Sequence, residues 1–176
     1  MKKIALKFGL ISGLILVGIS AVTVPLHLNG TIDMTMGMWL GYTVMTLSFI
    51  PVFLGVRAYR DERGGAISFG RAFGLGMLIT LVSSLCYVAA WEIVYFGGLV
   101  PGFEERMKAE QLADLEKEGA SPDKIAQVEK MWQLYRNPAI NAGITLLEPL
   151  PVALIVSFVA AGILRRKPEE PVPVAA

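Results

Sequence analysis

Apolar residues fall in four long blocks along this chain, at residues 4–26, 36–56, 72–98 and 139–164. Each is long enough to cross hydrocarbon as a helix, which takes about 20 residues. In that setting the backbone must satisfy itself within each helix, and the few charges mark ends or sites. The pattern predicts an all-α fold, an integral membrane four-transmembrane-helix bundle forming one domain over residues 1–167.

One long polar stretch, residues 102–136, separates the third and fourth blocks. Ser121-Pro122-Asp123 reads as a helix start: a capping hydroxyl, a proline at the first helical position and an acid in the first turn. Ile125, Val128, Trp132 and Tyr135 then share one helical stripe, and Asn137-Pro138 ends it. Upstream, Phe103, Met107, Leu112 and Leu115 give a looser apolar side, Glu104 and Lys108 have the spacing of an i,i+4 ion pair, and Gly119 breaks the helix. These features predict a helical hairpin outside the membrane, as a lid on the bundle, a lipid-surface element or a docking surface. Residues 168–176, rich in Pro, Val and Ala, predict a disordered cytoplasmic tail.

Composition agrees with a membrane assignment. The chain is 54% hydrophobic and 18% charged, where a soluble domain carries about 25% charge. A net charge of +1 without a basic patch beyond the segment flanks argues against nucleic acid as a partner. Charge also orients the blocks. Lys2, Lys3, Lys7, Arg57, Arg60, Arg63, Arg71, Arg165, Arg166 and Lys167 fall on one side, ten basic residues against six in the long third loop. Lys and Arg near helix ends mark the cytoplasmic face, so both termini are expected in the cytoplasm. Trp39, Tyr42, Trp91, Tyr95, Trp132 and Tyr135 would then mark the outer boundary, with Trp91 open to a core reading as well. The first block exceeds the 7–15 residues of a signal-peptide core and is read as a retained helix. Cys86 stands alone, which leaves no intrachain disulfide and no cysteine-built metal site.

Lipid gives apolar helices no hydrophobic reason to pair, so small residues must let backbones approach. Gly9/Gly13, Gly37/Gly41, Gly70/Gly74 and Ala153/Ser157/Ala161 recur at spacing four. Pro51, Pro149 and Pro151 should bend the second and fourth helices and free backbone carbonyls.

Three ionisable residues interrupt or border the apolar blocks: Glu92, Glu148 and His27. Counted from the nearest basic flank at about 1.5 Å per residue, they lie roughly 31, 25 and 30 Å up their helices. That common level makes them a candidate polar intramembrane site. One reading is a proton- or cation-linked carboxylate pair. The other places Glu92 at the interface and pairs Glu148 with a base of the hairpin such as Arg136. No catalytic motif, cofactor-binding motif or metal-ligand spacing is present, with a single His in the chain.

The order of features resembles the bacterial membrane-protein family DUF4199, a domain of unknown function. The resemblance rests on Arg57-Ala58-Tyr59-Arg60-Asp61, on Gly64 to Phe73, on Tyr87 and Trp91-Glu92, on Tyr135-Arg136-Asn137-Pro138, and on Leu147 to Val152 with Leu164-Arg165-Arg166-Lys167. It implies four membrane helices in a bacterial inner-membrane protein, with no reaction and no site residues. The expected function is non-enzymatic binding or assembly in the envelope, with the lipid bilayer, a homo-oligomer or an envelope protein at the 102–136 hairpin as partner. The alternative is a small transporter or channel component using Glu92 and Glu148. A membrane-embedded enzyme ranks third.

Overall fold

A computed structural model describes residues 1–166, so the expected tail at 168–176 lies outside the described residues. Eight helices follow in order: α1 (Lys2–Leu28), α2 (Met34–Ser48), α3 (Ile50–Asp61), α4 (Phe69–Phe96), α5 (Phe103–Lys117), α6 (Pro122–Tyr135), α7 (Pro138–Leu147) and α8 (Leu150–Leu164). No strand occurs among the described residues, where the one non-helical pairing is an isolated bridge between Ile67 and Arg166. Four segments are long and apolar enough to cross a membrane: Lys2–His27, Thr35–Asp61, Phe69–Phe96 and Pro138–Leu164. The second is α2 with α3, and the fourth is α7 with α8.

Only 22–44% of each apolar window is buried inside the protein. Leu14, Ile93, Ile155, Phe158 and Ile163 present their side chains outward. Water would penalise an apolar surface that extensive, and lipid does not. The surface is that of a membrane protein.

Helix α4 is central and packs on α1, α3, α7 and α8. Glycines decide how close its neighbours come. A methyl group on Gly9 would lie 2.5 Å from Val82, and one on Gly13 would lie 2.7 Å from Cys86. The spacing-four pair of the first block is therefore the α1–α4 seam. Gly70 and Gly74 face open space instead, and α4 uses Gly76, where a methyl would meet Ser157 at 2.9 Å. Ala153, Ser157, Ala160 and Ala161 form the buried small-residue face of α8. Gly55 performs the same service for α3 against Ile79 and Phe8. One core cluster joins Ile4 and Ala5 at the start of α1 with Tyr59, Ile67, Ala72, Ala161 and Leu164. At that end the chain turns from α3 to α4 through Gly64 and Gly65, both with φ near the left-handed region at +74° and +81°.

The two divided spans break beside prolines. At Phe49 the Val52 N–H bonds the Phe49 carbonyl at 2.9 Å rather than that of Ser48. Pro51 has no N–H to offer. The Ser48 carbonyl, released from the helix ladder, accepts from the buried Ser12 hydroxyl on α1. Ser12 in turn accepts from Ser83 of α4 at 3.1 Å. A chain of two hydroxyls thus closes the break and ties three helices together. At the second break, α7 ends at Glu148 and Pro149. Without N–H groups, Pro149 and Pro151 leave the carbonyls of Thr145 and Leu147 outside the regular ladder.

Ser12→Ala should lower the stability of the detergent-solubilised protein by about 1–2 kcal/mol, because it strips the freed carbonyl of its donor. Ser157→Ala should be neutral or stabilising, since the buried Ser157 hydroxyl has no hydrogen-bond partner. Thermal unfolding in micelles checks both, and equal losses would refute the assignment.

Candidate functional site

The end of the protein opposite the chain's start is organised by aromatic rings. Trp91 and Tyr95 of α4 meet Phe103 of α5 edge-on, with centroids 5.2 and 6.2 Å away, and Tyr95 meets Tyr135 at 5.4 Å. Polar tips lock the cluster. Trp91 Nε1 donates to the Tyr135 hydroxyl at 3.1 Å, Tyr95 donates to Glu104 at 3.0 Å, and Trp132 donates to Gln111 at 2.8 Å. Trp91 and Trp132 are therefore packing residues that join α4, α5 and α6. Trp39 and Tyr42, by contrast, stand exposed on α2 as boundary aromatics do.

The polar stretch is held by links across its two helices. Arg136 Nε donates to Glu104 at 2.7 Å, and Lys108 lies 3.5 Å from Glu129. The Glu104–Lys108 pairing expected along one helix is replaced by contacts between helices, because α6 brings bases and acids alongside. The Glu104 carboxylate also raises the Arg136 guanidinium above its ordinary value. Arg136 is thus engaged by Glu104, and no hydrogen bond or ion pair joins it to Glu148.

Beneath α5 lies a cavity of about 280 Å³. Its walls come from Ser20, Thr23 and His27 of α1, Met38, Gly41 and Val44 of α2, Tyr87 and Trp91 of α4, Phe103 and Met107 of α5, and Glu148 at the α7–α8 break. Glu148 stands at that break, still helical in φ and ψ with its N–H bonded to the Ile144 carbonyl at 3.0 Å, and its side chain meets the cavity. His27 is in the last turn of α1, with its side chain 13% exposed and Nε2 3.1 Å from Glu110 of α5. The alignment is poor, and neither imidazole nitrogen completes a hydrogen bond. Close passage of α2 depends on Gly37, where a methyl would come within 3.2 Å of Nδ1.

The structure thus brings His27 and Glu148 to one cavity. Glu92 is not in its lining, and its Oε1 is buried without a hydrogen-bond partner. The carboxylates share a neighbour in Tyr135, whose hydroxyl ionises above its ordinary range. Burial is the main cause. Hydrogen bonds with Thr145 and Trp91 oppose it, and negative charge on Glu148 and Glu92 adds to it. Tyr135 also lies 3.4 Å from Thr145, which donates to the buried Asn141 at 3.3 Å, and Asn141 Nδ2 donates to the Tyr135 carbonyl at 3.1 Å. Asn141 and Thr145 are four residues apart in an apolar block. That spacing on one helical face was a usable signal for this network. The partnership of Glu110 with His27 had none, since it depends on how α5 folds back.

A family model described as "Protein of unknown function (DUF4199)" matches residues 7–166. No curated protein and no solved structure matches the chain.

Arg136→Ala should leave Glu104 held by Tyr95 alone and loosen α5. Amide exchange should quicken across residues 103–117 while α4 keeps its protection, as hydrogen-exchange mass spectrometry would measure. Uniform quickening of α4 and α5 would contradict this view of a separable cover.

Proposed function

The chain belongs to the DUF4199 family, and from that premise we propose that it is a non-enzymatic binding protein of the bacterial inner membrane. Both termini lie in the cytoplasm. The α5–α6 hairpin lies outside and covers the binding groove. The observation that carries this reading is the cavity of about 280 Å³ beneath α5, apolar over most of its wall, with one carboxylate from Glu148. Orientation follows from the ten basic residues on one side, and the shared packing of Ile4, Ala5 and Leu164 supports termini on one face.

The groove favours a ligand with an apolar body and a cationic head. Aliphatic and aromatic walls accept the body. Glu148 attracts the head, and the aromatic rings of Trp91 and Tyr87 in the same lining suit a cation. His27 has Glu110 beside it at 3.1 Å, so the charge it would carry when protonated is offset. Binding is favoured over chemistry because neither Ser20 nor Thr23 is hydrogen-bonded to His27 or Glu148. Thr23 instead donates to the Ser20 carbonyl at 3.4 Å.

A second reading, a transporter component, is favoured by the partnerless Glu92 oxygen and by Tyr135, which senses both carboxylates. It requires Glu92 to exchange protons or cations with the groove.

In nanodiscs, a dodecyl quaternary ammonium should quench tryptophan emission saturably, and a dodecyl maltoside should not. Glu148→Gln should weaken the ammonium about tenfold, the loss of about 1.4 kcal/mol. Unchanged affinity in Glu148→Gln would end the binding proposal. Proton flux in liposomes that Glu92→Gln abolishes would establish the transport reading in its place.

A further inference from the structure

The opposite end of α4 carries a second cavity, of about 640 Å³, between the segment 66–71 and the pair Arg165–Arg166. Tyr87 of the groove is 16 residues beyond Arg71, or about 24 Å along the helix, so the two sites are separate.

A backbone bridge builds this second cavity. Ile67 N–H donates to the Arg166 carbonyl at 3.0 Å, and Arg166 N–H donates back to the Ile67 carbonyl at 3.0 Å. Ile67 is buried in the same core cluster as Leu164, so the bridge is anchored from both sides. Its effect is to set Arg165 and Arg166, which follow α8, beside Arg71 in the first turns of α4. Arg71 and Arg165 are exposed, and neither has an acidic partner among the described residues. The guanidinium groups of Arg71 and Arg165 both line this cavity, and an anion between them relieves their mutual repulsion. Their planar forks match the oxygens of a phosphate.

The depth of the cavity fits the same ligand. One membrane segment begins at Phe69 and another ends at Leu164. Arg71 and Arg165 therefore lie at the edge of the hydrocarbon, at the level of lipid headgroups. Just below, Phe69 meets Phe158 of α8 edge-on at 5.3 Å and stacks with Phe73 at 6.1 Å. Phe69, which lines the cavity, thus joins it to an apolar aromatic cluster.

We propose that this cavity binds a phosphate-bearing anion, either the headgroup of an anionic phospholipid or a free phosphate. The site lies apart from the groove and does not depend on the function proposed for it.

The test uses the full chain in neutral detergent with short-chain phosphatidylglycerol, short-chain phosphatidylcholine or inorganic phosphate, read by native mass spectrometry and by thermal unfolding. Phosphatidylglycerol should be retained and raise the unfolding temperature, and phosphatidylcholine should do so far less. Arg71→Gln and Arg165→Gln should each weaken phosphatidylglycerol about fivefold. The double Arg→Lys variant, which keeps the charges and so tests the site if Gln is not tolerated, should weaken it less. Lys2→Gln with Lys3→Gln should leave the affinity unchanged. Protection by inorganic phosphate equal to that by phosphatidylglycerol supports the site and assigns a free anion. Protection by phosphatidylglycerol alone supports it and assigns the lipid. Equal affinity for wild type and the Arg71→Gln/Arg165→Gln variant, equal retention of the two lipids, or binding indifferent to ionic strength would overturn the proposal.

Discussion

A carbonyl oxygen deprived of its amide inside hydrocarbon finds no water to replace it. The rest of this architecture depends on how that problem is met beside Pro51. The Ser12 hydroxyl reaches the Ser48 carbonyl, Ser83 supports Ser12, and α1, the α2–α3 break and α4 are thereby fixed at one point. Glycines at 9, 13, 55 and 76 bring the backbones near enough for close packing. Once α4 is enclosed in this way, its two ends are placed, and with them the groove under α5 and the arginine cavity at the chain-start end.

Much of this was legible from residue order. Four apolar blocks translate directly into four membrane-length helices, because length and hydropathy alone set that property. Ser121-Pro122 begins α6 with the Ser121 side chain accepting from the Lys124 N–H, as capping chemistry requires. The prolines marked both breaks, although not which hydroxyl would answer the freed carbonyl. That choice depends on the rotation of α1 against α4, which a one-dimensional pattern does not encode. The same ignorance of facing separates Gly9 and Gly13, which pack, from Gly70 and Gly74, which do not.

The candidate site was legible only in part, for a related reason. Height along a helix can be counted from the nearest basic flank, so Glu92, Glu148 and His27 were recognisable as near-equals in depth. Azimuth cannot be counted that way. His27 and Glu148 line one cavity and Glu92 does not. The aromatic pattern was legible to the same degree. Trp91, for which a core reading was open, and Trp132 each turn the indole N–H to a protein partner, Tyr135 or Gln111. A folded cover supplies those partners, and only tertiary structure reveals them.

The seam between α4 and α8, where Gly76 admits Ser157, bears on the order of assembly during synthesis. Helix α4 leaves the ribosome long before α8, so its glycine face must wait against lipid or the insertion machinery while α5 to α7 are still being made. The bridge from Ile67 to Arg166 closes later still. In that order of synthesis α8 completes a half-built interface on α4, and the interval before it does so is when chaperones or membrane proteases have their best opportunity to act.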